Sequence, residues 1–345
     1  MSKPYVVGID IGGTNTVFGI VDARGVVIAS SSIKTRKHSN IEDYIDELHL
    51  ELTKLMEAND ATDKVHGIGI GAPNANYYTG SIEEGVNLPW PTPIPLAKLV
   101  SDKFGIPCSV TNDANAAAIG EMTYGAARGL KDFVMITLGT GVGSGIVING
   151  QLVYGHDGFA GELGHLIVKR NNGRLCGCGN HGCLETYCSA TGVARTAVEF
   201  LDARASEPST LRDKPADEIT SKDVYDAAIS GDKLAKDVFD YTGDILGAAL
   251  ADITKFSAPE AFILFGGLAK SGELLMKPLR ESMEKNQMPI WRGKVRVLLS
   301  ELKEADAAVL GASALGWEAK FMAPTPSTVP VAPSPAVPAA AAAAK

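Results

Sequence analysis

One arrangement of residues occurs twice in this 345-residue chain, and it constrains the fold more than any other feature. In its first copy, an apolar run at residues 5–9 leads into Asp-Ile-Gly-Gly-Thr at 10–14. A second apolar run follows at 17–21, a turn sequence at 22–25, and β-type residues again at 26–28. This order predicts a three-stranded meander whose first hairpin turn contains glycine and threonine.

The second copy has the same order of parts. The apolar run at 133–138 meets Gly-Thr-Gly at 139–141, a second run fills 145–148, Asn-Gly at 149–150 makes a turn, and a third run occupies 151–153. A repeated unit indicates a repeated architecture. The chain also exceeds the size at which one hydrophobic core usually keeps growing, so we expect two α/β lobes with a cleft between them.

Helical periodicity follows the first meander. Apolar residues recur at spacings of four and three behind two candidate N-cap residues, Ser39 and Asn40. The apolar positions are Ile41, Ile45, Leu48, Leu52 and Leu55. They form one stripe, which predicts an amphipathic helix.

Composition and charge exclude several classes of protein. Hydrophobic residues make up 45% and charged residues 21%, as is usual for a soluble globular protein. The net charge of −8 disfavours nucleic acid as a partner, because binding to phosphate backbones depends on Lys and Arg. There is no apolar run of membrane-spanning length, and the N-terminus does not have the pattern of a signal peptide. We therefore expect a cytoplasmic protein with no membrane segment.

The two glycine–threonine turns would present backbone N–H groups across the cleft, an arrangement that suits an oligophosphate. Taken alone, the turn at residues 12–14 is read most simply as an ordinary hairpin. Asp10 stands directly before it on an apolar strand, where a buried carboxylate needs a partner such as a metal ion. The pairing of the two turns favours the phosphate interpretation.

Other nucleotide-binding motifs fit less well. The P-loop pattern is absent from the sequence. Residues 67–72 satisfy the dinucleotide-binding fingerprint, but Pro73 and Asn74 follow where a helix should continue, so a Rossmann site is disfavoured. A glycine pair, Gly266 and Gly267, follows an apolar strand and is a candidate for the wall of a nucleotide site.

Three of the five cysteines lie close together in a glycine-rich stretch: Cys176, Cys178 and Cys183. Three thiolates and one imidazole form a closed tetrahedral set, which is typical of structural zinc. A reducing compartment favours metal over disulfide. His165 and His181 are both candidates for the fourth ligand, and spacing alone does not choose between them. We expect Cys108 and Cys188 to be small buried apolar residues.

Five motifs follow one another along the chain: Asp-Ile-Gly-Gly-Thr-Asn at 10–15, Thr-Asn-Asp-Ala-Asn-Ala at 111–116, Leu-Gly-Thr-Gly-Val-Gly at 138–143, Gly-Glu-Leu-Gly-His at 161–165 and Cys-Gly-Cys-Gly-Asn-His-Gly-Cys-Leu-Glu at 176–185. Together they closely resemble the ROK family of sugar kinases and repressors, particularly its glucokinases. The last motif is the most specific of the five. The resemblance covers about residues 5–320.

The resemblance implies an actin-like ATPase fold, in which two ribonuclease-H-like α/β lobes hold the substrates in an interdomain cleft. We expect an N-terminal α/β lobe at 1–121, completed by a C-terminal helix at 303–322. A larger α/β lobe at 122–302 would carry a zinc-binding loop at 165–183. Residues 323–345 are rich in proline and alanine and are expected to form a disordered tail.

The implied activity is ATP-dependent phosphorylation of a hexose, with glucose to glucose 6-phosphate as the first choice and a place in glycolysis. Asp113 would be the general base, since an ionised carboxylate can accept the proton of the sugar hydroxyl. The implied cofactors are ATP, Mg²⁺ and structural Zn²⁺, and family members commonly form dimers or tetramers.

The resemblance also assigns the remaining site residues. The sugar-binding residues would be Asn87, Asn112, Glu162, His165 and Glu185. The nucleotide site would comprise Asp10 near Mg²⁺, then Gly12, Gly13, Thr14, Asn15, Gly139, Thr140, Gly141, Gly266 and Gly267. The zinc ligands would be His165, Cys176, Cys178 and Cys183, which decides against His181.

Several alternatives remain open at this point. The sugar could be fructose, mannose or an N-acetyl hexosamine, and a sugar-sensing protein of the same fold could have lost catalysis. A metallohydrolase is disfavoured because four protein ligands leave zinc no open position. The repressor branch carries a helix-turn-helix domain before the first meander, whereas only four residues precede Tyr5. Residues 203–223 match no motif.

Overall fold

The computed structural model of the chain describes residues 3–83, 88–302 and 304–320. Within these ranges the strands are β1 (Tyr5–Ile11), β2 (Asn15–Asp22), β3 (Val27–Lys34), β4 (Val65–Gly71), β5 (Ala75–Asn76), β6 (Ser81–Ile82), β7 (Cys108–Thr111), β8 (Phe133–Leu138), β9 (Val142–Ile148), β10 (Gln151–Leu152), β11 (Ala261–Phe265) and β12 (Arg296–Leu299). The α-helices are α1 (Ile41–Ala58), α2 (Leu96–Phe104), α3 (Asp113–Tyr124), α4 (Glu185–Cys188), α5 (Ala190–Ala203), α6 (Ser221–Ile229), α7 (Lys233–Ser257), α8 (Glu273–Asn286) and α9 (Glu304–Gly316).

The first sheet has the strand order β3-β2-β1-β4-β7, with β1 antiparallel to β2 and parallel to β4. The predicted first meander is confirmed by the antiparallel pairing of β1, β2 and β3. Alternate β1 residues, such as Val7 and Ile9, enter a core that they share with Leu48 and Leu52 of α1. The predicted helix is confirmed as well, since the Asn40 side chain caps α1 by accepting a hydrogen bond from the Asp43 N–H at 2.7 Å.

Glycines on the opposite face of this sheet allow the C-terminal helix α9 to approach very closely. A Cβ atom on Gly8 would lie 2.0 Å from the carbonyl oxygen of Val309, and one on Gly69 would lie 1.9 Å from that of Ala312. These distances are impossible for any side chain, so glycine is required where β1 and β4 contact α9. The glycine run at 67–71 therefore serves helix packing, in agreement with the rejection of a dinucleotide-binding motif.

The second sheet repeats the plan of the first, with the order β10-β9-β8-β11-β12. Strands β8, β9 and β10 form the predicted second meander, and β8 is parallel to β11. A large apolar core unites this sheet with helices α5, α7 and α8. The two halves of the chain therefore share one strand topology, as the repeated sequence pattern indicates.

Helix α3 lies between the two sheets and contacts both. A Cβ on Gly71 of β4 would be 3.2 Å from the Ala116 Cβ, and one on Gly145 of β9 would be 2.7 Å from the Ala118 Cβ. Small residues on both sides thus bring α3 against β4 and β9. The predicted lobe boundary after residue 121 falls inside this helix.

The C-terminal part differs in length from the prediction. A helix was expected over 303–322, but α9 ends at Gly316, and Trp317 instead donates a hydrogen bond from Nε1 to the Tyr124 hydroxyl at 3.0 Å. The tail expected at 323–345 lies outside the described residues. Residues 203–223, which no motif explained, form two short 3₁₀ turns and the capped start of α6. Across the described ranges, no helix combines the length and the apolar character needed to cross a membrane.

Candidate active site

Asp113 is the first residue of α3, directly after β7 reaches the edge of the first sheet. The Asn112 side chain caps the helix, with Oδ1 accepting from the Asn115 N–H at 2.9 Å, and Asp113 Oδ1 accepts from the Ala114 N–H at 2.7 Å. The Asp113 side chain is open to the cleft. Protein surrounds it closely on the other sides, and this burial raises the pKa of its carboxyl, although the backbone N–H groups oppose the shift.

Asp10 near the end of β1 is the second acidic group at this edge. Burial raises the pKa of Asp10 to about 7, and the nearby charge of Asp113 adds to the effect. Gly71 keeps the space beside the two carboxylates open, because a Cβ there would be 3.6 Å from both Asp10 Oδ1 and Asp113 Cα. Two adjacent carboxylates at the wall of a cleft form a suitable environment for a divalent cation such as Mg²⁺.

A cavity of about 380 Å³ opens beside these two residues, between the two sheets. Four predicted nucleotide-site residues line it: Asp10, Gly139, Gly266 and Gly267. The sequence did not indicate Met135, Phe265 or Leu302, which contribute apolar surface to the same cavity. The combination of an apolar wall with glycine turns suits a flat base attached to a polar phosphate chain.

The first glycine turn connects β1 and β2. Its Gly12 N–H donates to the Asn15 carbonyl at 3.0 Å, and Lys34 Nζ donates to Asn15 Oδ1 at 2.8 Å. Three carbonyl oxygens accept from the segment after β3: Gly12 from Thr35 Oγ1 at 2.8 Å, Gly13 from Arg36 Nε at 2.8 Å and Thr14 from the Thr35 N–H at 3.0 Å. These hydrogen bonds fix the conformation of the turn.

The second glycine turn connects β8 and β9 in a similar way. Its Gly139 N–H donates to the Gly141 carbonyl at 3.0 Å. The Gly139 carbonyl accepts from the Ala190 N–H at 2.8 Å, and the Thr140 carbonyl accepts from Thr191 Oγ1 at 2.9 Å. Here the supporting donors come from the start of α5 and not from a neighbouring strand.

Glu185 at the start of α4 lies against this second turn. Its Oε2 accepts a hydrogen bond from the Val142 N–H at 3.0 Å. A Cβ on Gly141 would be only 2.3 Å from the same oxygen, so residue 141 must be glycine for the carboxylate to lie there. One backbone turn therefore adjoins both the nucleotide cavity and this carboxylate.

Glu162 shares the same corner of the cleft. Burial raises the pKa of the Glu162 carboxyl, the imidazole of His165 opposes that shift, and the charges of Asp113 and Glu185 add to it. Glu162 Oε2 is 3.9 Å from His165 Nε2. The structure thus brings Asp113, Glu162, His165 and Glu185 together, whereas Asn87 lies outside the described residues.

The predicted zinc ligands also meet in space. One ligand atom from each of His165, Cys176, Cys178 and Cys183 lies within 4.8 Å of all the others. Cys178 Sγ is 3.7 Å from Cys183 Sγ, and His165 Nδ1 is 3.6 Å from Cys176 Sγ. Sulfurs that share a tetrahedral zinc ion with bonds of about 2.3 Å lie about 3.8 Å apart, so the donor set fits zinc.

The two candidate histidines have different environments. His165 directs Nδ1 to the cysteines and Nε2 to Glu162, whereas His181 is exposed and places Nδ1 3.1 Å from the Gly173 carbonyl oxygen. Cys176 Sγ is also 3.7 Å from Glu185 Oε1. The histidine–cysteine cluster thus contacts Glu162 through His165 and Glu185 through Cys176. The expectation that Cys108 and Cys188 are buried is confirmed.

A comparison with known protein families and structures agrees with this arrangement. The model of the ROK family matches residues 6–319. The chain belongs to the ROK family. A ROK relative, the glucokinase of Halalkalibacterium halodurans, is 36% identical over 328 residues, which cover 93% of this chain and 96% of that protein.

A solved ROK structure supports the fold directly. The ROK family glucokinase from Streptomyces griseus, in complex with glucose and AMPPNP, is 35% identical and superposes with a TM-score of 0.74. The match covers 91% of this chain and 99% of that one. ROK sugar kinases have the actin-like ATPase fold, so the predicted fold class is confirmed.

The family also contains regulators. The xylose repressor of Caldicellulosiruptor bescii is 28% identical over 312 residues, covering 90% of this chain and 77% of that protein. ROK membership therefore indicates a sugar-related role, and the arrangement of the site must distinguish a kinase from a sensor.

Proposed function

We propose that this ROK protein is an ATP-dependent hexose kinase, and that its substrate is glucose. The observation that carries the proposal is the position of Asp113, which lies beside the nucleotide cavity and in the same corner as Glu162, His165 and Glu185. The glucokinase relatives support glucose as the sugar.

Glucose would bind against the carboxylates of Glu162 and Glu185, with Asn112, His165 and Asn87 as further partners. Carboxylates accept hydrogen bonds from adjacent hydroxyl groups and reject analogues that leave them unpaired. Asn112 already uses Oδ1 to cap α3, so its NH₂ group is the part available to the sugar. Specificity therefore lies on the side of the cleft next to the cysteines.

ATP would bind in the cavity, with its phosphates at the turns formed by residues 12–15 and 139–141 and its adenosine against Gly266 and Gly267. Asp113 accepts the proton of the 6-hydroxyl as that oxygen attacks the γ-phosphorus and ADP leaves. The raised pKa of Asp113 makes it a stronger proton acceptor than a carboxylate of ordinary pKa. Most of the rate enhancement would come from positioning and charge stabilisation, because the transition state is loose.

Two metal ions complete the proposal. Asp10 would hold Mg²⁺, directly or through water, and Mg²⁺ when bound neutralises charge on the phosphates. The set of His165, Cys176, Cys178 and Cys183 would hold structural Zn²⁺. The zinc ligands connect the segments that carry Glu162 and Glu185, so the metal acts by preorganising the sugar site.

ADP release in the presence of ATP and Mg²⁺ tests the activity. The panel should contain glucose, fructose, mannose, N-acetylglucosamine and N-acetylmannosamine. We expect the highest kcat/KM with glucose. A higher value with another hexose would change the substrate, and no ADP above background with any sugar would favour a sugar-sensing ROK protein.

We extend the proposal to the organisation of the chain. Residues 1–121 together with α9 and residues 122–302 would act as the two lobes that enclose the substrates. We further propose a cytoplasmic homo-oligomer, dimer or tetramer, that does not bind nucleic acid, since the net charge of −8 opposes it. Light scattering coupled to size-exclusion chromatography measures the oligomeric state.

A further inference from the structure

Glu162 is carried by an irregular segment, residues 155–163, which we call the sugar loop. Three glycines in it have positive φ angles: Gly155 at 77°, Gly158 at 92° and Gly161 at 99°. Such angles suit glycine, and the three glycines give the segment much conformational freedom in the unfolded chain. A carboxylate that must meet a sugar hydroxyl within a few tenths of an ångström therefore needs other contacts to fix its backbone.

The first such contact is made by Ser144 on β9. Its side chain is only 4% exposed. Ser144 Oγ donates a hydrogen bond to the Gly161 carbonyl and accepts one from the Leu163 N–H at 3.1 Å. These two peptide groups flank Glu162 on both sides. One hydroxyl thus fixes the backbone immediately before and after the sugar-side carboxylate.

The second contact comes from Asn76 of β5, which follows strand β4 of the first sheet. Asn76 is 1% exposed, and its Nδ2 donates to the Asp157 carbonyl at 2.6 Å. A Cβ on Gly158 would lie 2.4 Å from Asn76 Oδ1, so the loop packs tightly on this side chain. Next to it, the rings of Tyr77 and Tyr154 stack with centroids 4.1 Å apart.

We propose that Ser144 and Asn76 are positioning residues that set the Glu162 carboxylate for sugar binding. The inference rests on the proposed function, because it assigns Glu162 to the sugar. Ser144 holds the loop from the second sheet, and Asn76 holds it from the segment attached to the first. Without either side chain, glucose would have to order the loop on binding, and its affinity would fall.

Steady-state kinetics of Ser144→Ala test the first contact. We expect the KM for glucose to rise about tenfold, because a small misplacement of a binding group costs up to about 10²-fold. The KM for ATP should change less than about twofold, since Ser144 does not line the nucleotide cavity. An unchanged KM for glucose would overturn the role of Ser144.

A matched control is Ser282→Ala. Ser282 is also 4% exposed, and its hydroxyl donates to the Asp244 carbonyl at 2.7 Å between α7 and α8. The same atom is therefore removed at the same burial, but away from the sugar loop. Equal increases in the KM for glucose in both variants would reduce Ser144 to a general stabilising residue.

Asn76→Ala tests the second contact. It removes the donor to Asp157, and we expect the KM for glucose to rise about fivefold with little change in the KM for ATP. Tyr78→Phe is the control, because its exposed hydroxyl donates to Gly155 at 3.0 Å at the outer end of the same loop. A lower melting temperature with an unchanged KM for glucose would show that Asn76 is only structural.

Amide hydrogen exchange gives a readout that does not require kinase activity. In the sugar-free protein, the Leu163 N–H donates both to Ser144 Oγ and to the Gly161 carbonyl, at 3.1 and 2.8 Å. Ser144→Ala removes the first acceptor and releases the Gly161 carbonyl from β9, so exchange at the Leu163 amide should speed up, while Ser282→Ala should not change it. If the unaltered protein phosphorylates no sugar, the proposed function fails, and exchange still decides whether Ser144 fixes the loop. Unchanged protection of Leu163 would overturn the inference in either case.

Discussion

The two glycine–threonine turns have the same order in the sequence but different surroundings in the structure. The turn at residues 12–14 is supported by Thr35 and Arg36, which follow the outer strand of its own sheet. The turn at residues 139–141 is supported by the start of α5 and by Glu185 of α4. The first turn is therefore coupled to its own sheet, and the second is coupled to the sugar side of the cleft.

This difference assigns different roles to two similar motifs. A change in the first turn should affect the nucleotide alone, whereas a change in the second should affect the nucleotide and the sugar together. Asp113 lies between them and should be needed whichever turn is intact. Four predictions test this division, beginning with the largest expected effect.

Asp113→Asn removes the proton acceptor and leaves both turns unchanged. We expect kcat to fall by about 10²- to 10⁴-fold, the usual contribution of a general base. Glucose binding, measured by calorimetry, should persist because the corner with Glu162 and Glu185 remains. Turnover near that of the unaltered protein would show that Asp113 is not the general base.

Gly141→Ala and Gly12→Ala compare the turns directly. A Cβ at residue 141 would be 2.3 Å from Glu185 Oε2, and we expect the carboxylate to move and the KM for glucose to rise about tenfold. A Cβ at residue 12 would be 3.0 Å from the Asn15 carbonyl and should raise the KM for ATP only. Gly139→Ala is the control for the glucose effect within the second turn, because its Cβ would have no protein neighbour within 4 Å and the KM for glucose should stay constant. Its KM for ATP should rise, since residue 139 lines the nucleotide cavity. A rise in the KM for ATP alone at residue 141 would contradict the coupling.

Cys178→Ser tests whether the cysteine cluster belongs to the sugar side. The variant should lose bound zinc, measured as metal per chain by mass spectrometry, and its KM for glucose should rise severalfold while the KM for ATP stays constant. Cys108→Ala removes a buried thiol outside the cluster and should keep its zinc. Full sugar affinity in a zinc-free Cys178→Ser protein would separate the metal from the sugar site.

The smallest effect at neutral pH concerns Asp113 itself. Asp113 acts as a base only when its carboxyl is ionised. Burial raises its pKa, so the inactive protonated form persists to higher pH than for an ordinary carboxyl. The acid limb of the kcat/KM profile should therefore move to higher pH. We expect the midpoint of this limb to lie above the ordinary carboxylate value of about 4. A pH profile with its midpoint at or below that value would indicate that Asp113 is well solvated in the cleft.

The local parts of the fold were predictable from the sequence. Strands β1, β2, β8 and β9 have apolar runs bounded by glycine turns, and α1 has an apolar stripe behind Asn40. The positions of β4 and β7 could not be predicted, because they depend on parallel pairing between distant segments. The C-terminal helix of the first lobe was implied by the family resemblance and not by any local pattern. The glycines of β4 appear in the sequence as a poor dinucleotide motif, and their contacts with α9 and α3 explain them.

The candidate site, too, was only partly predictable from the sequence. Asp113, Glu162 and the cysteines stand in recognisable motifs, and the structure places them in one corner. Ser144 and Asn76 are single polar residues without a motif, and their importance depends on which carbonyl each one meets. Sequence patterns identified the groups that would contact substrates better than those that hold them in place.

The packing of α9 against glycines of β1 and β4 also has a consequence for the order of events during biosynthesis. The strands of the first sheet are complete once residue 111 has been synthesised, but the helix that covers one of their faces begins at Glu304. Domains generally fold in the order in which they leave the ribosome. Here one face of the first sheet would stay uncovered until nearly all the described residues had emerged. The second sheet and its helices could therefore finish folding before the first sheet does.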